Sequence, residues 1–163
     1  MKRTTSVLLL AGAGIFLIAG RADPQQGQPG KVIPKLTPIA ETRLLMEGLA
    51  HANFRGLERI LKQKPAEAQS WTFARGQALL IAETANLLML RPPKNEGESV
   101  WFARAMELRN AAAQLAQVAA KRDYEACRAG LTNVANLCNR CHQTFRVKVQ
   151  ITAFEDKPEQ PEP

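Results

Sequence analysis

Aromatic residues and histidine are scarce in this chain of 163 residues: aromatic residues make up 6% of it, and there are only 2 His. Alanine and leucine are abundant instead, and this balance favours helices over a β-sandwich. Glycine and proline, at 10 each, are too few for a fibrous or low-complexity chain. Hydrophobic residues at 45% and charged residues at 23% exclude wholesale disorder. The length favours one domain of ordinary size.

Part of the excess of basic charge belongs to the amino-terminal segment and not to the rest of the chain. The formal net charge is +7, and it falls to +4 once Lys2, Arg3 and Arg21 of the amino-terminal segment are set aside. A mildly basic surface of this kind is not the footprint of a nucleic-acid-binding protein. We therefore expect no nucleic-acid partner.

The amino terminus predicts export. Basic residues precede an unbroken apolar run at 7–20, which is 14 residues long. This is the length of a signal-peptide core and is shorter than the roughly 20 residues of a transmembrane helix. Small residues at Gly20 and Ala22 allow cleavage before Asp23, so residues 1–22 are predicted to be a signal peptide. The alternative is an uncleaved segment that tethers the exported domain to a membrane, and we place the domain in the periplasm either way.

The exported part has a central domain and two irregular ends. Residues 23–38 are rich in proline and glutamine and lack apolar periodicity, which is typical of a flexible leader. Residues 152–163 are acidic and proline-rich and are predicted to be a disordered tail. The domain is therefore assigned to residues 39–151.

The domain divides into four segments at Pro65, at 91–93 and near 121–123. Apolar residues recur in each at spacings of three and four, as they do on helices packed at shallow angles. Pro65 is predicted in the first turn of the second helix, and Ser99 and Asp123 are predicted N-caps. Four such helices joined by short loops predict an all-α, antiparallel up-down-up-down four-helix bundle.

Residues 138–142 form a C-x-x-C-H motif, the signature of c-type haem attachment. On a helix, Cys138 and Cys141 lie on one face, where their thiols can add across the two vinyl groups of one porphyrin edge. His142 follows Cys138 by four residues and shares that face, so its imidazole can supply the proximal axial ligand. The sequence therefore predicts one covalent haem c.

Other uses of these residues fit less well. A structural zinc site needs four ligands, and only His51, on the polar face of another helix, and Cys127 remain to complete one. A thioredoxin-type motif needs a βαβ setting, and a disulfide within a helix has poor geometry. Cys127 lies about 16 Å from Cys138 by helical rise, too far for a disulfide, and is expected in the core.

A single C-x-x-C-H motif near the carboxyl end of a four-helix bundle resembles the class II cytochromes c, the cytochrome c′ family. Residues 138–146, C-N-R-C-H-Q-T-F-R, are close to the family pattern, in which an aromatic and a basic residue follow the motif. The resemblance covers about residues 39–149 and implies that Arg146 lies close to the haem on its proximal side; the alternative is an ordinary exposed arginine. It extends upstream to Trp101, the alanine-rich third helix, the Asp123 turn and Arg43.

The resemblance also bears on the distal side of the iron, which the first helix faces in this family. Members with Leu or Phe there are five-coordinate and bind NO or CO, whereas members with Met are low-spin electron carriers. Met46 lies on the apolar stripe of the first helix, so the resemblance implies that Met46 is the sixth iron ligand. Two alternatives stay open: Met46 as core filler, and ligation by His51.

These features together predict an exported monohaem cytochrome that transfers electrons and docks transiently with redox proteins. The alternative is a five-coordinate haem protein that binds NO or CO. No acid–base or nucleophile constellation appears, so we do not expect an enzyme. Whether the chain forms a homodimer is left open.

Overall fold

The computed structural model describes residues 35–94 and 97–154, which contain helices and connecting segments but no β-strand. The predicted signal peptide at 1–22, most of the predicted leader and residues 155–163 of the predicted tail lie outside the described residues. No helix of the described part is both long and apolar enough to cross a bilayer.

Four helices follow one another in chain order. Helix α1, residues 42–60, begins as the α-helical turn Thr42–Leu45, continues as the π-helical segment Met46–His51 and ends as the α-helix Ala52–Ile60. Helices α2, α3 and α4 are Ala68–Met89, Glu98–Ala120 and Tyr124–Thr144. The all-α class and a packed helical bundle are confirmed for the described residues, and the up-down-up-down order stays a prediction.

The helices pack closely in chain order, α1 with α2, α2 with α3 and α3 with α4. Buried alanines recur at helical spacing in both α2 and α3, and such small residues let closely packed helices lie near each other. They are Ala74, Ala78 and Ala85 in α2, and Ala105, Ala112, Ala116 and Ala119 in α3. Helices α1 and α4 are not closely packed against each other. The bundle is therefore open between these two helices except at one end, where Tyr124 and Arg128 of α4 donate hydrogen bonds to the carbonyl of Leu61, just after α1.

Of the three predicted helix starts, one is confirmed and two are wrong. The Asp123 carboxylate accepts a hydrogen bond from the backbone N–H of Ala126 at 3.1 Å and caps α4. Ser99 lies inside α3, because the residue before that helix is Gly97, in a left-handed conformation with φ of 88°. Pro65 precedes α2 by three residues, because its carbonyl accepts a hydrogen bond from the buried Trp71 indole at 3.0 Å.

Helix α4 ends in a Schellman motif. Arg146 has a left-handed φ of 57°, and its N–H donates to the carbonyl of Gln143 at 3.2 Å. The N–H of Val147 donates to the carbonyl of His142 at 2.8 Å, which completes the motif. The chain turns back at this point, and residues 147–154, named here the C-terminal strap, run along the bundle.

The strap differs from the predicted disordered tail over its last residues. Ile151 is buried in the main core, and the Phe154 ring packs under the guanidinium of Arg128 at 3.7 Å. The Thr152 carbonyl accepts a hydrogen bond from Arg55 at 3.2 Å. Residues 152–154 thus pack against the bundle, whereas the sequence placed them in the tail.

Candidate functional site

A largely apolar cavity of about 570 Å³ lies where α1 and α4 are apart. All four helices and the strap contribute to its lining, with Met46 and Phe54 from α1, Leu88 from α2 and Leu108 from α3 among the apolar residues. Its volume falls within the range of about 300–1,000 Å³ of cofactor pockets.

The three motif residues line this cavity together. Helix α4 stays regular through Thr144, so Cys138, Cys141 and His142 share one face and are each half-buried. Burial raises the pKa of the Cys138 thiol to about 12. Burial also raises the pKa of Cys141, an effect that the nearby Arg104 opposes. The wall that carries both thiols is therefore apolar and keeps them protonated at neutral pH.

The orientation of the His142 ring is defined by one contact. Its Nδ1 lies 2.8 Å from the carbonyl oxygen of Val149 in the strap. A carbonyl oxygen can only accept a hydrogen bond, so Nδ1 carries the proton and donates it. The lone pair then resides on Nε2, which leaves that nitrogen available to a metal.

Both sequence candidates for the distal ligand line the cavity from α1. Met46 is half-buried and packs against the small cluster of Leu45, Leu88 and Ala105. His51 is exposed, and its Nε2 accepts a hydrogen bond from the Arg55 side chain at 3.2 Å. Both belong to the π-helical segment, a wider turn that is frequent at functional sites.

Arg146 does not line the cavity. It is exposed and borders a separate surface depression that also includes Lys94 and Gly97. Its left-handed backbone is what the end of α4 requires. The aromatic residue before it, Phe145, does line the cavity, where its ring meets Trp101 edge-on with centroids 5.1 Å apart.

The sequence reasoning missed Arg104, which lines the cavity from α3. One guanidinium nitrogen pairs with Glu107 at 2.8 Å, whereas Nε is buried and has no hydrogen-bond partner among the described residues. The guanidinium of Arg104 is a positive charge in the cavity wall, which would favour an anionic group there, such as a porphyrin carboxylate. The sequence did hold a signal for it, because Arg104 lies one helical turn before Leu108 and next to the apolar face of α3.

The apolar cavity, the two thiols on one wall, the free imidazole nitrogen and the positive charge of Arg104 fit a c-type haem protein. Residues 98–146 match the family model described as Cytochrome C′. The match spans α3, α4 and the motif, and over these residues it confirms the resemblance to the class II cytochromes c; α1 and α2 lie outside it. This family implies a covalently bound haem c. Searches of curated proteins and of solved structures gave no match.

The two arginines provide a matched test of which one serves the cavity. Arg146→Gly should leave the redox midpoint potential almost unchanged and alter the free energy of unfolding by no more than about 1 kcal/mol, because glycine adopts the left-handed conformation freely. Arg104→Gln should lower the potential, because it removes a positive charge at the cavity. Spectroelectrochemistry measures both; the reverse pattern would assign the cavity role to Arg146.

Thiol titration should separate Cys127 from the motif cysteines. Cys127 is fully buried, and burial raises its pKa to about 11, so it should resist alkylation in the native protein until the pH approaches that value. Unfolding the purified protein in guanidinium should release one reactive thiol per chain, since the predicted thioethers would occupy the other two cysteines. Three reactive thiols would contradict the predicted attachment.

Proposed function

We propose that the protein is an exported monohaem cytochrome that carries electrons, with its haem held by Cys138 and Cys141 and ligated by His142. The observation that carries this proposal is the apolar cavity that has the motif on α4 along one wall and Met46 on α1 in its lining. Haem supplies one-electron redox chemistry when bound. The chain contributes two covalent attachment points, an oriented imidazole and a largely apolar cavity.

The contacts on α1 favour Met46 over His51 as the sixth ligand. The lone pair of His51 Nε2 is engaged by Arg55, and the ring is exposed. Met46 is half-buried and packs against an apolar cluster. A thioether opposite an imidazole suits electron transfer, because it stabilises the reduced iron and keeps the coordination the same in both oxidation states.

Replacing Met46 tests this assignment directly. Met46→Leu conserves volume, so the bundle should fold, while the spectrum should change from low-spin to high-spin and CO should bind readily. Met89→Leu is the matched control, because Met89 is half-buried against the same apolar cluster but does not line the cavity. Absorption spectra of both oxidation states, with and without CO, provide the measurement.

A wild-type protein that is already high-spin and binds CO would instead support the gas-binding alternative. Met46 would then be a filler of the Leu45 cluster, a role that its packing also permits. The two functions therefore differ in one observable, the coordination state of the wild-type iron.

The expected location is the periplasm, where transient redox partners would dock, and no enzymatic turnover is proposed. Haem of this type is attached after translocation, which agrees with the signal-peptide features of residues 1–22. Amino-terminal sequencing of the purified protein should give a start at Asp23. A start at Met1 in a membrane fraction would indicate the tethered alternative.

A further inference from the structure

The C-terminal strap passes directly beside the C-x-x-C-H motif and lies beyond residues 98–146, which match the family model. It makes hydrogen bonds with α4 through Asn139 and with α1 through Arg55 and Glu58. Such a segment could simply cover apolar surface, as the burial of Ile151 shows that it partly does. Some of its polar contacts, however, are made with Asn139 and His142 of the motif itself.

On the α4 side, the strap is held by the second residue of the motif. The side-chain amide of Asn139 donates to the carbonyl of Ile151 at 2.8 Å, and its oxygen accepts the N–H of Ile151 at 2.8 Å. The side chain of Asn139 thus pairs with both the backbone N–H and the backbone carbonyl of Ile151. These two bonds fix the backbone of the strap relative to the helix turn that carries both thiols.

On the α1 side, a buried carboxylate holds the end of the strap. Glu58 is only 7% exposed, and its carboxylate accepts a hydrogen bond from the backbone N–H of Phe154. The same carboxylate forms an ion pair with Arg55 at 2.7 Å. Arg55 also donates to the Thr152 carbonyl, and Arg128 lies over the Phe154 ring. The strap thus bridges the open side of the bundle between α4 and α1.

Val149 lies between the end of α4 and these anchors. Its side chain is 54% exposed, so burial alone does not hold it in place, yet its carbonyl meets Nδ1 of His142 at 2.8 Å. We propose that the strap is a positioning element for His142: the Asn139 clamp holds the Val149 carbonyl where it orients the imidazole and makes it a stronger electron donor. The proposal rests on His142 being the iron ligand.

The physical consequence is a shift in redox potential. A carbonyl oxygen that accepts the Nδ1–H bond raises the basicity of the ring, and a more basic ligand favours the oxidised metal. Loss of this bond should therefore raise the midpoint potential. It should also speed the exchange of the Nδ1 proton with solvent, because the ring of His142 is only half-buried.

The test compares two asparagines on the same helix. Asn139→Ala removes both clamp bonds and should not weaken α4, because alanine is the stronger helix former. Asn136→Ala is the control, since Asn136 is exposed on α4 and has no part in the clamp. In the haem-loaded protein, Asn139→Ala should shift the potential to more positive values and speed exchange of the Nδ1 proton, measured by NMR. Asn136→Ala should change neither.

A pair of shortened chains tests the carbonyl itself. A chain that ends at Phe154 keeps every strap contact described above and should match the wild type. A chain that ends at Lys148 lacks the Val149 carbonyl and should reproduce the shift of Asn139→Ala. A loaded Asn139→Ala protein with wild-type potential and proton exchange would overturn the positioning role alone. A chain without covalent haem would overturn the proposed function as well.

Discussion

The site depends on the geometry of α4, which must remain a regular helix through His142 and then end within the next turn, as it does at Thr144. Regularity puts two thiols and an imidazole on one face, because the spacings of three and four residues match the helical turn. The abrupt end lets the strap return to the same face. Arg146 ends the helix by adopting a left-handed conformation, which is strained for a residue with a Cβ.

The cavity wall opposite α4 is formed by α1, which is not a regular α-helix there. The wider turn of Met46–His51 lies where α1 borders the cavity, and α1 packs closely with α2 but not with α4. Close packing of α2 on α3 through alanines leaves larger residues, such as Phe54 and Leu108, to line the space between α1 and α4. The cavity thus results from uneven packing in the bundle, tight on one side and open on the other.

Local geometry could be predicted from the sequence, and long-range contacts could not. The helices and the Asp123 cap follow from spacing and capping chemistry within a few residues. Pro65 and Ser99 were misplaced for local reasons that apolar spacing does not show: the Trp71 indole, six residues further on, binds the Pro65 carbonyl, and the left-handed Gly97 precedes the helix that contains Ser99. Residues 152–154 of the strap were assigned to the tail because residues 152–163 are acidic and proline-rich as a whole, while the anchor of Phe154 at Glu58 is remote in sequence.

The two proposals for the iron ligands act on the redox potential in opposite directions. A thioether from Met46 favours the reduced state, whereas an imidazole made more basic by Val149 favours the oxidised state. One effect comes from α1 and the other from the strap, so they belong to separate parts of the chain. The potential could therefore be adjusted through the strap without altering either ligand. A clamp built on Asn139, the second residue of the C-x-x-C-H motif, provides such a control, because the attachment chemistry uses only the two cysteines and the histidine of the motif.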